Sequence, residues 1–229
     1  MTPGPAGHDF TVVASTPVYD GKIVSLRVDE VRMPAGGTAK REIVGHGGAV
    51  SVAAVDSTNP DTANVLLIEQ YRPAVGRRLW EMPAGLLDVP GEPAQPAAAR
   101  ELLEETGYRA ANWSVLLDVA TSPGFSEETV RIYLATDLTF EGRPDSADDE
   151  EAELRVVWVP LRVAVQAALA GSIVNVMAVA GLLAVDAVLR GTARQVDRPD
   201  APAVTDAPWT VHRGPGSPSA PPLEGAREL

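Results

Sequence analysis

The sequence predicts an α/β (α+β) protein: a mixed domain of strands and helices behind a small amino-terminal antiparallel β-sheet. Three observations carry this. β-branched residues alternate with turn signals from Phe10 to Val44, apolar strand-like runs follow from Ala49, and a helix with clear start and stop residues lies between Gly91 and Gly107. The chain has 229 residues, 45% hydrophobic and 22% charged. That length buries a full core in one catalytic-size domain with appendages, and the composition is that of a folded globular chain.

Met1 to Asp9 carry Pro3, Pro5 and Gly7 without a basic or apolar leader pattern, and read as a flexible tail. Residues 10–45 form a β-meander, with Tyr19-Asp20-Gly21 and Pro34-Ala35-Gly36-Gly37 as its turns. Gly45-His46-Gly47-Gly48 ends it and opens the main domain, residues 46–195. There Ala49 to Val55 and Asn64 to Gln70 fit buried strands, joined by the turn Asn59-Pro60-Asp61.

The helix after Gly91 has Pro96 in its first turn, Ala97 to Ala99 as strong formers and Gly107 as its stop. Strands are expected at Trp113 to Val119, Thr129 to Thr136 and Arg155 to Val159. Two helices follow, Leu161 to Ala170 and Val174 to Arg190. The second is apolar on most faces, which points to burial against another element or a second subunit. From Asp197 onward seven prolines appear with little periodic apolar content, so residues 196–229 read as a proline-rich disordered tail.

Several functions are excluded. A net charge of -12 opposes nonspecific nucleic-acid or anionic-membrane binding. The absence of Cys removes disulfides, thiolate metal sites and a Cys nucleophile, and agrees with a cytoplasmic setting. Asn175 and Asp186 interrupt the longest apolar stretch, which opposes a membrane span. His8, His46 and His212 are scattered and form no cluster.

The chemistry concentrates in Arg100-Glu101-Leu102-Leu103-Glu104-Glu105-Thr106-Gly107. Glu101 and Glu105 are four apart and share a helix face, with Glu104 beside them. Like charges at that spacing repel, so the helix alone fits either a solvated acidic face or a divalent cation that offsets the repulsion; Mg²⁺ suits such hard oxygen donors, waters and substrate phosphates. Upstream, Pro83-Ala84-Gly85 makes a sharp loop after Trp80-Glu81-Met82, and Glu92 precedes Arg100 by a fixed interval.

Together these residues resemble the Nudix box, Gly-x5-Glu-x7-Arg-Glu-U-x-Glu-Glu-x-Gly-U with U apolar. From Glu92 to Gly107 the match is residue for residue, with Tyr108 at the last position. Between Gly85 and Glu92 the chain has six residues, Leu86 to Gly91, in place of five. The longer loop, and Pro123 fifteen residues past Tyr108, resemble the ADP-ribose pyrophosphatase branch of the Nudix hydrolases. The likeness extends over about residues 10 to 195.

The resemblance implies an α/β/α sandwich with a mixed sheet and Mg²⁺- or Mn²⁺-dependent hydrolysis of ADP-ribose to AMP and ribose 5-phosphate. It makes Glu101 and Glu105 catalytic metal ligands, Glu104 a supporting ligand and the Ala84 carbonyl a further donor. Gly85, Glu92, Arg100 and Gly107 become structural members of the motif. Six carboxylates lie within Asp145 to Glu153; there Glu151 aligns best with the family's catalytic glutamate and is also assigned to the metal site, with Glu150 and Glu153 as alternatives. Arg72 matches an arginine that reaches substrate phosphates. Arg41 matches one donated across a homodimer by an exchanged amino-terminal sheet. Glu81 and Glu127 are candidates for substrate contact or for structural ion pairs, and Trp80 and Tyr71 for core or an adenine platform. Other nucleoside diphosphate sugars, or a non-catalytic ADP-ribose sensor, are the alternative functions; the metal carboxylates argue against the sensor.

Overall fold

The structure, a computed structural model, describes residues 10–144 and 154–193. The described part falls into two compact units. The smaller consists of residues 10–46 with Ser122–Glu127, the larger of the remainder. The predicted tails, residues 1–9 and 196–229, lie outside the described residues.

The smaller unit is an antiparallel sheet of β1 (Thr11–Asp20), β2 (Val24–Arg32) and β3 (Thr38–His46), in that order. Its turns fall at the predicted Gly21 and at Gly36-Gly37, where Gly36 N–H bonds the Met33 carbonyl at 2.9 Å. Pro17 is tolerated because β1 is an edge strand whose pairing shifts register between Pro17 and Tyr19. Segment Ser122–Glu127 joins β3 through a parallel bridge of Val44 with Ser126, made by Val44 N–H to Phe125 and Glu127 N–H to Val44.

The larger unit contains two sheets. One has the order β7 (Ala84–Leu86), β4 (Ala49–Ala54), β9 (Thr129–Phe140), β8 (Tyr108–Ala120), with β4 and β9 parallel. The other has the order β10 (Arg155–Pro160), β5 (Asn64–Arg72), β6 (Arg77–Glu81) and is antiparallel. A bridge between Val55 and Val65 links them. Helix α1 (Ala94–Thr106) covers one side, burying Ala97, Ala98 and Leu102 against Val50, Val52 and Tyr133. Helices α2 (Leu161–Leu169) and α3 (Val176–Leu189) cover the other, with Leu161, Leu182 and Val185 against Leu67, Ile132 and Leu134. All six β4 residues are buried because β4 is covered on both faces. This is the α/β/α layering expected.

The elements differ in extent from the sequence reading. Strand β8 starts at Tyr108, since Gly107 ends α1 in a left-handed conformation (φ 78°) and turns the chain directly into pairing with Phe140. Strand β9 runs on to Phe140 to match it. Helix α1 begins at Ala94, behind Pro93, and α3 at Val176, where the Asn175 side chain accepts the Ala178 N–H at 3.0 Å. No described helix is long and apolar enough to cross a membrane.

Candidate active site

The site is built where the loop after β6 meets α1. The Pro83 carbonyl accepts the Val52 N–H at 2.8 Å and the Ser51 hydroxyl at 3.2 Å, which fixes the loop to the central strand. That places Ala84 N–H 3.0 Å from Oε2 of Glu105, a carboxylate only 6% exposed. At Gly85 a Cβ would collide with the Glu101 carboxyl group. Only glycine leaves room for that carboxylate on the strand, which explains the first glycine of the motif.

Arg100 organises the remaining acids. Its Nε and Nη2 donate to Glu92 at 3.2 and 3.1 Å, and its Nη1 donates to Glu101 at 2.7 Å and Glu104 at 2.9 Å. These partners, Glu92 foremost, hold the guanidinium above its ordinary pKa despite partial burial. Arg143 donates to the Glu104 carbonyl at 3.2 Å, near the end of α1. The six-residue loop before Glu92 is closed by Glu92 N–H to Val89 at 3.1 Å and borders a cleft of about 340 Å³ with Gly47.

Among the described residues no three acidic or imidazole groups stand together as a ready-made metal cage. The donors nevertheless fit a divalent cation of the hard, oxygen-seeking kind. Glu101 and Glu105 reach adjacent residues of strand β7 from one helix, Glu104 shares Arg100 with Glu101, and the Ala84 backbone adjoins Glu105. Such cations bind through one or two carboxylates, keeping waters and substrate phosphates as other ligands.

Arg72 and Glu81 come together as an ion pair. Nε and Nη2 of Arg72 donate to the two Glu81 oxygens at 2.9 and 2.8 Å, and Glu81 is fully buried. Glu81 is paired with Ile68, on the strand face shared with Leu66 and directed to α1. Trp80 takes the opposite face, packing against the core under α2 and α3, with Arg155 stacked 5.5 Å from its ring centroid. Tyr71 shares the Trp80 face and is exposed, so neither aromatic lies on the side of Glu81 and α1.

Arg41 and Glu127 belong to the smaller unit. Arg41 is exposed on β3 and donates to the Lys40 carbonyl at 2.9 Å. Glu127 is an ion-pair partner of Arg27, which also holds the buried Asp29 at 3.0 Å; Asp29 in turn accepts from Ser15 at 2.6 Å. Glu127 thereby keeps the Arg27 guanidinium above its ordinary pKa. Glu150, Glu151 and Glu153 lie outside the described residues.

One charged pair was not anticipated from the sequence. Arg131, 4% exposed, forks onto Asp118 at 2.8 and 3.2 Å. Register places Gly85, Val50, Arg131 and Asp118 on one rung across the four-stranded sheet, so this pair shares the α1 side with Glu101. The signal was present as two opposite charges in otherwise apolar strands, but their pairing depends on register.

Known proteins bear on this geometry. Residues 47–178 match the NUDIX domain, and residues 10–44 match the nucleoside diphosphate sugar hydrolase N-terminal domain. The chain is 50% identical over 203 residues to an ADP-ribose pyrophosphatase of Mycobacterium tuberculosis (strain ATCC 25618 / H37Rv), covering 86% of this chain and 96% of that one. It is 40% identical over 134 residues to a methanol dehydrogenase activator of Bacillus methanolicus, covering 58% and 70%. In fold it resembles an ADP compounds hydrolase crystal structure, with TM-score 0.67 and 22% identity over 85% of this chain and 100% of that one. With the carboxylate helix and its loop matched within that domain, the chain belongs to the Nudix hydrolase family.

Proposed function

We propose that this chain hydrolyses the pyrophosphate of ADP-ribose to AMP and ribose 5-phosphate, with Mg²⁺ or Mn²⁺. The observation that carries the reading is the seating of Glu101 and Glu105 against Gly85 and Ala84, which gathers hard oxygen donors at the start of β7. The near full-length likeness to an ADP-ribose pyrophosphatase supports the choice of substrate.

Glu101, Glu104, Glu105 and the Ala84 carbonyl would hold the cation. When bound, it neutralises phosphate oxygens and lowers the pKa of a bound water. Arg100, kept in place by Glu92, restrains Glu101 and Glu104. Arg72 binds a phosphate, a task suited to its planar guanidinium. Glu151 takes the proton of the attacking water, as the family pattern indicates. Water oxygen bonds to one phosphorus, and the bridging oxygen leaves on the other.

The working form in this reading is a cytoplasmic homodimer to which Arg41 contributes. Nine of ten β1 positions are exposed, Val12, Val13, Val18 and Tyr19 among them, and a second copy would cover such a strand. Light scattering at twice the chain mass is the expected result. The substrate test offers ADP-ribose, a nucleotide-mannose and NADH in parallel with Mg²⁺. AMP released first from ADP-ribose supports the reading. Faster cleavage of another compound moves the specificity, and binding without turnover favours a sensor.

A further inference from the structure

Glu81 is fully buried, yet the guanidinium it holds is not: the Arg72 side chain is 40% exposed and the Glu81 side chain 1%. Taking a carboxylate out of water costs free energy that only a close countercharge and hydrogen bonds offset, and an apolar residue of similar size would stabilise the core as well or better. The pair is therefore asymmetric, with an interior anchor and an outward end. Its fork is bidentate, at 2.9 and 2.8 Å, which fixes the guanidinium plane as well as its position.

The anchor stands on a rigid element. Glu81 is the last residue of β6, paired with Ile68 on the face directed to α1, and three positions after it comes Ala84, whose N–H holds Glu105. Arg72 is the last residue of β5, and its carbonyl accepts the Val75 and Gly76 N–H groups at 2.9 Å, so its backbone is held too. Ordering a long side chain before the ligand arrives removes that cost from binding.

We infer that Glu81 is a positioning residue: it touches no substrate, and acts by presenting Arg72 to a phosphate of the nucleoside diphosphate. This rests on the hydrolase reading for the identity of the ligand. It replaces the expectation that Glu81 itself contacts substrate.

The test measures binding of a methylene-bridged, non-hydrolysable ADP-ribose with Mg²⁺ by calorimetry, alongside melting temperature, for Glu81→Gln, Glu81→Asp, Arg72→Ala and Glu81→Gln with Arg72→Ala. Loss of a charge-assisted fork predicts binding weakened about tenfold or more in Glu81→Gln and Arg72→Ala. The double variant should match Arg72→Ala within about twofold, because Glu81 acts only through Arg72. Glu81→Asp, which keeps the charge and shortens the reach, should fall between and carries the test if Glu81→Gln does not fold. The inference is overturned if the two single effects multiply, if Arg72→Ala binds as the wild type does, or if folded Glu81 variants lose stability with unchanged affinity. A wild type that binds the analogue without cleaving ADP-ribose refutes the hydrolase reading alone, and the coupling still decides the role of Glu81. A wild type that does not bind it refutes both.

Discussion

Arg100 and Arg72 each hold glutamates on the α1 side of the larger unit, in opposite ways. Arg100 is shared among Glu92, Glu101 and Glu104, all partly exposed, whereas Arg72 forks onto the fully buried Glu81. A shared, half-open cation can yield partners to a competing charge; a fork on a buried carboxylate cannot do so cheaply. At Arg100, Glu92 occupies the Nε and Nη2 edge while Glu101 and Glu104 share Nη1. Glu101 and Glu104 can thus be released while Glu92 keeps the guanidinium anchored. One cluster is built to exchange a ligand, the other to hold a side chain still.

The largest effect should come from removing the buried carboxylate that lies beside the Arg100 cluster on α1 and is seated on Ala84. Glu105→Gln keeps the size of the buried side chain but loses its charge, and turnover of ADP-ribose should fall about a thousandfold, several kcal/mol of barrier. Steady-state rates across a Mg²⁺ titration check this. Gly85→Ala should come next, because its Cβ displaces the Glu101 carboxyl group. Activity should drop at least about tenfold while circular dichroism still shows a folded protein, overpacking costing about 1–3 kcal/mol.

Arg100→Ala leaves Glu101 and Glu104 without their common restraint, and the Mg²⁺ concentration for half activation should rise about tenfold to a hundredfold. Arg100→Lys, which cannot span both edges, should lie between this variant and the wild type. The smallest effect belongs to a pair of neither kind. Arg109 and Glu141, with side chains 55% and 48% exposed, should contribute about 0–1 kcal/mol, so Arg109→Ala should leave thermal stability and activity close to wild type.

The exchangeable cluster was legible in the sequence and the fixed pair was not, for a physical reason. Glu92, Arg100, Glu101, Glu104 and Glu105 lie within one helix and its approach, so helical spacing alone brings them to one face. Gly107 and Pro96 marked the ends of α1 with equal economy, and the turns of the β-meander were read from their glycines. Pairs made across strands depend on register, which shifts every side chain to the other face when it slips by one. Trp80 and Glu81 are neighbours in sequence, yet one faces the core under α2 and α3 and the other faces α1. The pairing of Arg131 with Asp118 was hidden for the same reason.

We assign the divalent cation to the α1 carboxylates seated on Ala84 and Gly85. Binding of Mn²⁺ followed by electron paramagnetic resonance tests this assignment without relying on turnover. The wild type should sequester Mn²⁺, and Glu101→Gln with Glu105→Gln should lose that binding while remaining folded. Equal Mn²⁺ binding by the two proteins would contradict the assignment.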